Sequence, residues 1–192
     1  GRINGPVNIL AQGVTYMYRA EVGHPIGYFY GMSTEGVWQT QEQIDQAIAS
    51  GKAVLPGAQP GDLIWCDYDN NGVIDLDADR HEIGDPNPNA ILGLNFGFEW
   101  KGLDFNLAGH GAFGQQIMQN YRGVFPASWY ENFTTDIFGR WHGAGTSNHL
   151  PRLSAGADSN WITVSDIYMQ NGDFFKIQNV TLGYDFNKLW KK

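Results

Sequence analysis

Residues 90–108 read AILGLNFGFEWKGLDFNLA, and large apolar side chains occupy every second position on both sides of the central Lys101–Gly102 pair. Small or polar residues such as Gly93, Asn95 and Asp104 fill the positions between them. Successive side chains of a β-strand point to opposite faces, so the alternation predicts an antiparallel hairpin with one apolar and one small or polar face. The apolar positions are Leu92, Leu94, Phe96, Phe98, Trp100, Leu103, Phe105 and Leu107.

The same alternation returns near the end of the sequence, in the stretch FFKIQNVTLGYDF at 174–186. A soluble β-sandwich would bury such an apolar face in its core, whereas an outer-membrane barrel would turn it to lipid and the small or polar face to the lumen. A span needs about ten residues in each strand, which both stretches supply. The pattern alone predicts a mainly β fold with antiparallel strands, and it is compatible with both the sandwich and the barrel.

Composition narrows the function classes. The 192 residues include 25 glycines and are 14% aromatic but only 17% charged, which suits short strands and tight turns. A net charge of −8 argues against a nucleic-acid partner. Cys66 is the only cysteine, so no intrachain disulfide can form. No apolar run is long enough for a transmembrane helix, and the first residues lack the pattern of a signal peptide. The chain is therefore expected to be either soluble or a piece of a longer protein.

The clearest helix signal is TQEQIDQAIASGK at 40–52. Thr40 is the expected N-cap, Ile44 and Ile48 share one face, and Gly51 stands where a C′ glycine belongs. The stretch GHPIGYFYG at 23–31 is expected to form an irregular loop, because three glycines and a proline surround its large side chains. Residues 115–172 are also expected to be irregular.

The stretch DYDNNGVIDLDAD at 67–79 has the spacing of a calcium-binding loop. Gly72 takes the place of the turn glycine, and oxygen ligands at alternate positions can converge because the loop curls around one ion. Ala78 occupies the twelfth position, where a bidentate Glu is usual, and the available carboxylates are Asp77 and Asp79, one residue to either side. The alternative is an ion-free loop rich in Asx turns. The predicted ligands of a structural Ca²⁺ are Asp67, Asp69, Asn71, Val73, Asp75 and Asp79.

No catalytic or cofactor-binding residues are predicted. Neighbouring Asp residues in one loop do not supply two carboxylates that face a cleft at a set separation, as glycoside hydrolysis requires. The stretch GHGAFG at 109–114 matches G-x-G-x-x-G, but the strand before it alternates and the helix after it is poor, so a glycine-tolerant strand or loop explains it better than a dinucleotide site.

Several stretches in one order resemble the C-terminal third of SusC-like (RagA-like) TonB-dependent outer-membrane transporters. The family pattern includes a G-x-P-x-G-x-F-Y-G loop, a P-G-D turn before an acidic loop that ends in D-R, and a K-N-V-T-L-G-Y strand. This sequence departs from the pattern at Asp69-Asn70-Asn71, where Asn-Gly-Asp is usual, and at Gln178, where Lys is common. The resemblance covers residues 23–40, 58–88, 92–114, 140–153 and 172–186.

The resemblance implies a mainly β fold, with antiparallel strands from part of an outer-membrane β-barrel, long extracellular loops and one short surface helix. Residues 1–192 would be a C-terminal portion of a barrel of about twenty-two strands, with the plug domain and most strands outside this sequence. It implies an importer of glycans or oligopeptides in the bacterial outer membrane, with no enzyme activity. The implied partners are a SusD-like surface lipoprotein, outer-membrane lipid, and TonB, which acts through an N-terminal region outside this sequence. The alternative function is a soluble, secreted, calcium-stabilised β module that binds carbohydrate.

Overall fold

The computed structural model describes residues 7–11, 14–119, 135–154 and 158–187, and these residues are mainly β. The chain divides into two compact units. Unit 1 comprises residues 1–85 and 118–170, and unit 2 comprises residues 86–117 and 171–192. The described strands pair antiparallel in four sheets, which confirms the predicted fold class.

Unit 2 contains a three-stranded sheet in the order β7, β8, β11, where β7 is Ala90–Trp100, β8 is Leu103–Phe113 and β11 is Phe174–Tyr184. The hairpin between β7 and β8 is confirmed. Its turn residues, Lys101 and Gly102, both have positive φ values of 48° and 92°, as a two-residue type I′ turn requires. Each strand is 11 residues long, and β11 carries one register shift between Ile177 and Asn179.

Unit 1 contains a four-stranded sheet in the order β1, β2, β3, β6 and a two-stranded sheet of β4 and β5. The bounds are Val7–Ala11 for β1, Val14–Ala20 for β2, Tyr28–Gly31 for β3, Thr34–Val37 for β4, Leu63–Trp65 for β5 and His81–Gly84 for β6. Two further short strands pair with each other, β9 at Gln116–Met118 and β10 at Met169–Asn171. The core of unit 1 is formed by Met17, Phe29, Met32, Val37, Leu63, Trp65, Ile74, Met118, Val164, Ile167 and Tyr168.

The expectation of an irregular loop over residues 23–31 is wrong for its second half. Positive φ values of 97° at Gly23 and 73° at Gly27 confine the loop to the first half. Tyr28 and Phe29 are then buried, and β3 pairs with both β2 and β6. Burial of these aromatic side chains favours the strand over the loop that the glycine content suggested.

The predicted surface helix is α1, Gln41–Ala49. The Thr40 hydroxyl accepts a hydrogen bond from the Gln43 N–H at 3.3 Å, and Gly51 has φ +81° after the last turn. Ile44 is buried against Trp38, whereas Ile48, predicted to share its face of the helix, is 58% exposed. Ile48 lies one turn farther along, beyond the small cluster that covers Ile44.

Residues 141–154 and 158–161 form hydrogen bonds with β4, with β5 and with Asp62, which precedes β5. The Arg152 Nε donates to the Asp62 carboxylate at 2.6 Å, and the Asn160 Nδ2 donates to the same oxygen at 3.0 Å. The Asn160 Oδ1 accepts the Leu63 N–H at 2.8 Å, while the Val37 N–H donates to Asn148 Oδ1. The segment predicted to be irregular is therefore ordered where it is described, with buried hydrogen bonds in place of long regular elements.

The other helical elements in the described ranges are short. They are α2 at Ser159–Ile162 and two 3₁₀ helices at Thr135–Gly139 and Asp166–Tyr168. Within the described ranges, no helix is both long enough and apolar enough to cross a membrane.

Candidate functional site

The acidic loop at residues 67–79 connects β5 to β6 in unit 1. Ile74 anchors it, because its side chain is only 5% exposed and joins the core of unit 1. Asn70 and Gly72 have positive φ values of 58° and 85°, so the backbone curls at the positions that the calcium-loop spacing assigns to the turn. Sequence spacing identified the turn but gave no reason to single out Ile74 as the anchor.

Asp67 and Asp69 hold the first turn of the loop. The Asp67 carboxylate accepts the N–H groups of Asn71 at 3.2 Å and Gly72 at 2.8 Å. The Asp69 Oδ1 also accepts the Asn71 N–H, at 3.0 Å. The Asp69 bond spans two residues, as in an Asx turn, whereas the Asp67 bonds span four and five residues and close the curl.

Asp79 closes the loop from the other end. Its side chain is fully buried, Oδ1 accepts the Tyr68 N–H at 2.9 Å, and Oδ2 accepts the Asp75 N–H at 2.8 Å. A buried carboxylate is stable only when hydrogen bonds or cations replace its hydration, so these backbone donors explain its position. The sequence signals for Asp79 were its place beside the twelfth loop position and the D-R pair, and the Arg80 side chain donates to the Tyr30 carbonyl at 3.0 Å.

Three of the predicted ligands come together. One carboxylate oxygen from each of Asp67, Asp69 and Asp79 lies within 4.8 Å of the other two. Oxygen ligands bind calcium at about 2.3–2.6 Å, so two oxygens on opposite sides of one ion are about 4.6–5.2 Å apart. The three oxygens therefore fit a single hard cation. Among the described residues, no Lys or Arg forms an ion pair with any of the three carboxylates.

The other three predicted ligands make different contacts. The Asn71 Oδ1 accepts the Val73 N–H at 2.8 Å, and the Val73 side chain is exposed. Asp75 does not join the group of three carboxylates. Its Oδ1 instead accepts the N–H groups of Asp77 at 2.8 Å and Ala78 at 3.1 Å, and these hydrogen bonds lower the pKa of the Asp75 carboxyl.

Groups next to the loop are tightly packed. The Tyr68 ring stacks on the His81 ring with 3.9 Å between centroids, and a 2.8 Å hydrogen bond joins the His81 Nε2 to the Ser33 hydroxyl. Burial raises the pKa of the Cys66 thiol, and the nearby carboxylates, Glu35 first, raise it further. A thiol with a raised pKa is a poor nucleophile, so nothing at this position supports catalysis by Cys66.

Unit 2 presents a second candidate surface, the apolar face of its three-stranded sheet. The strand register aligns apolar and glycine residues in five rows across β7, β8 and β11. In the middle row, Phe96 is 52% exposed and Val180 is 59% exposed, so the face is not buried against another layer in the described residues. The rows are Trp100–Leu103–Tyr184, Phe98–Phe105–Leu182, Phe96–Leu107–Val180, Leu94–Gly109–Ile177 and Leu92–Gly111–Phe175.

Most residues on the opposite face of the sheet are polar or small. Glu99 pairs with Asp104, and Asn106 lies across from Gly97 and Thr181. GHGAFG, the G-x-G-x-x-G match, lies mostly within β8, which agrees with the assignment of its glycines to a strand. A sheet with one apolar face and one polar face, both unburied, suits a boundary between lipid and water.

Comparison with known proteins identifies relatives of the chain. No protein-family model matches the chain. The TonB-dependent receptor P3 of Formosa agariphila is 31% identical over 164 residues, which are 85% of this chain and 15% of that receptor. The TonB-dependent receptor SusC of Bacteroides thetaiotaomicron is 24% identical over 133 residues, 69% of this chain and 13% of SusC. The chain is homologous to the SusC-like TonB-dependent receptors.

The fold agrees with this relationship. The solved structure of the RagAB peptide importer in the "open-open" state superposes with a TM-score of 0.58 at 18% identity, over 94% of this chain and 18% of the RagAB chain. The chain thus spans about 15% of the length of the curated relatives it matches. The names of these SusC-like relatives describe receptors and an importer, and none describes an enzyme.

Proposed function

We propose that the chain forms part of the barrel wall and of the extracellular loops of a TonB-dependent outer-membrane importer. The observation that carries the proposal is the two-faced sheet of unit 2, whose apolar rows are exposed on one side and whose polar residues face the other. In the proposed barrel, the apolar rows contact lipid and the polar face lines the lumen.

The dimensions of the apolar face support this position. From Leu92 to Trp100 the five rows extend over eight residue steps, or about 27 Å along the strand. Barrel strands tilt by about 35–45°, which reduces this length to about 21 Å along the membrane normal, and the side chains at both ends extend it. The result is close to the apolar band of about 25 Å that outer-membrane barrels present to lipid.

The connections of unit 2 favour one orientation. The Lys101–Gly102 turn is at one end of the sheet, while Asn89, Gly114 and Asp173 are all at the other end, where the Asn89 N–H bonds to the Phe113 carbonyl and the Gly114 N–H to the Asp173 carboxylate. Outer-membrane barrels have short periplasmic turns and long extracellular loops. The turn is therefore assigned to the periplasmic side, and the opposite end of the sheet, at Asn89, Gly114 and Asp173, to the extracellular side.

The proposed partners follow from the relatives. We infer that the full-length protein works with a SusD-like surface lipoprotein, receives energy from TonB through its N-terminal region, and imports glycans or oligopeptides. The similarity to SusC and to the RagAB peptide importer supports this class of transport. The mechanism is binding and gated passage, in which the loops of unit 1 contact the ligand or the lipoprotein.

We also infer that the acidic loop binds one structural Ca²⁺ through Asp67, Asp69 and Asp79. Asn71, Val73 and Asp75 complete the predicted ligand set if the loop tightens around the ion. A bound ion offsets the mutual repulsion of three neighbouring carboxylates and orders the loop, and it performs no chemistry. This role is independent of the nutrient that the importer carries.

Cysteine accessibility tests the proposed position. In the full-length receptor with Cys66→Ser, single cysteines replace Val73 in the acidic loop, Leu94 on the apolar face and Lys101 in the turn. A membrane-impermeant maleimide added to intact cells should label the Val73→Cys variant alone. Lys101→Cys should react only after the outer membrane is permeabilised, and Leu94→Cys in neither case. Equal labelling of all three in intact cells would contradict the proposal.

Transport has a separate test. Cells that express the receptor should lose uptake of a labelled glycan or oligopeptide when either the receptor gene or the TonB gene is deleted. Uptake that persists without TonB would exclude an energised importer. A comparison of the two ligand classes in the same cells decides between them.

A further inference from the structure

One end of the apolar face has a different chemistry from the rest. The row nearest the turn consists of Trp100, Leu103 and Tyr184, which the strand register places side by side. Trp100 is 63% exposed and Tyr184 is 39% exposed. Trp and Tyr have an apolar ring with one polar edge, and they concentrate at the level of lipid headgroups. The row at the other end, Leu92–Gly111–Phe175, has neither residue type.

A positively charged side chain, that of Lys101, lies just beyond this row. Lys101 occupies the first position of the turn, and its Nζ lies 4.8 Å from the centroid of the Trp100 ring. Among the described residues, Lys101 forms no ion pair. The acidic pair Glu99 and Asp104 belongs to the opposite, polar face of the hairpin. The ammonium group is therefore held at the edge of the apolar face by an aromatic ring instead of a carboxylate.

These observations point to an anionic ligand at the membrane surface. We propose that Trp100, Lys101 and Tyr184 form a contact site for the phosphate group of a phospholipid in the periplasmic leaflet. Lys101 supplies the charge, and the two aromatic rings fix the depth of the hairpin. The occupant is a lipid because the site is continuous with the apolar face, so that acyl chains lie along the inner rows while the phosphate meets Lys101. This inference rests on the proposed barrel position.

Depth measurements test whether the row Trp100–Leu103–Tyr184 lies at the level of the lipid headgroups. The full-length receptor with Cys66→Ser receives a nitroxide label at Leu103→Cys or at Leu107→Cys and is reconstituted in vesicles of phosphatidylethanolamine and phosphatidylglycerol. Relative accessibility to oxygen and to a water-soluble nickel chelate should place the Leu103 label at the headgroups. The Leu107 label, two rows further in, should lie about 10 Å deeper.

Native mass spectrometry tests whether the charge of Lys101 contributes to lipid binding. The receptor released from detergent should retain phosphatidylglycerol, and Lys101→Gln should reduce that binding about fivefold, which corresponds to the approximately 1 kcal/mol typical of one Lys near an anionic membrane surface. Lys176→Gln is the matched control, because Lys176 pairs with His110 on the polar face and should leave lipid binding unchanged. Millimolar inorganic phosphate should not displace the lipid.

The outcomes separate the two proposals. A Leu107 label outside the bilayer would overturn the barrel position itself. A deep Leu107 label combined with a Leu103 label in water, or equal lipid binding by Lys101→Gln and the parent protein, would overturn only the headgroup site. Displacement of the lipid by inorganic phosphate would show that the site recognises free phosphate, which also overturns the lipid assignment.

Discussion

Asp79 is the residue that organises the acidic loop. It is the buried carboxylate of the loop, and it accepts N–H groups from both halves of the curl through Tyr68 and Asp75. The exposed Asp69 and half-buried Asp67 then bring two more carboxylates close to it. Backbone donors stabilise this arrangement in part, and a divalent cation would offset the remaining repulsion. Order in the loop and affinity for an ion are therefore expected to be linked.

Calcium binding is predicted to depend on the clustered carboxylates and not on the total charge of the loop. Titration of Ca²⁺ into the folded protein should release heat and raise its melting temperature. Asp69→Asn should weaken binding by about tenfold or more, and Asp67→Ala combined with Asp69→Ala should remove the heat.

The matched control for calcium binding is Asp77→Asn. Asp77 lies in the same loop and has the same charge, but its carboxylate is outside the cluster and its side chain is 96% exposed. Affinity should change little in this variant. If Asp69→Asn and Asp77→Asn behave alike, the loop attracts ions only through its net charge, and the site assignment fails.

Gly61 occupies a position where any larger side chain would clash with its neighbours. It has φ +94°, and a Cβ at this position would lie 2.5 Å from the Trp141 ring and 2.8 Å from the Arg152 Cβ. Gly61→Ala is predicted to lower the free energy of unfolding by about 2–5 kcal/mol, the sum of left-handed backbone strain and overpacking. Gly57→Ala, with φ +80° and open space around it, should cost only the strain of about 1–2 kcal/mol. Denaturation curves that show equal losses would contradict the packing at Gly61.

At the scale of elements, β7, β8 and β11 are the part that local sequence determines best. Eleven-residue alternation and a Lys-Gly turn each specify the same hairpin, so register and faces could be predicted before the structure. By contrast, β3 has four residues beside two glycines, and only its pairing with β2 and β6 makes it a strand. Local pattern cannot reveal an element that depends on distant partners.

The acidic loop also combines features that the sequence could predict with features that it could not. Spacing predicted that Asp67 and Asp69 would be near each other, because a calcium-type curl brings alternate residues together. The position of Asp79 depends on burial at the return of the chain, and the hydrogen bonds of Asp75 depend on the local turn at Asp77 and Ala78. Both are properties of the folded backbone, which ligand spacing in the sequence does not encode.

The two faces of β7 are predicted to tolerate charge very differently. Phe96→Arg places a guanidinium in the middle row of the apolar face and should destabilise the barrel by about 2–4 kcal/mol. Asn95→Arg puts the same group on the adjacent residue of the polar face and should cost much less. Phe96→Leu separates the loss of aromatic packing from the effect of charge. The measurement is the denaturant midpoint of the full-length receptor in vesicles, and similar midpoints for the two arginine variants would contradict a lipid-facing row.

For the whole molecule, the arrangement of unit 2 leaves strands without partners. Within the described ranges, β7 pairs only with β8, and β11 pairs only with β8, so each has an unpaired edge. Unpaired edges beside an exposed apolar face favour aggregation in water, and a closed barrel removes both problems at once. A barrel segment is expected to have this arrangement, whereas a soluble carbohydrate-binding module would cover its own edges and apolar face.

The isolated 192-residue chain is therefore predicted to aggregate in buffer and to remain dispersed in detergent micelles. The apolar face supplies the driving force, since burial of exposed apolar area contributes about 25 cal/mol for each Å². A variant with serine in place of Leu94, Phe96 and Leu182 interrupts this face and should aggregate more slowly. Size-exclusion chromatography and light scattering, with and without detergent, measure the difference. A chain that stays monomeric and folded in buffer, and that gains stability from carbohydrate, would instead favour the soluble module.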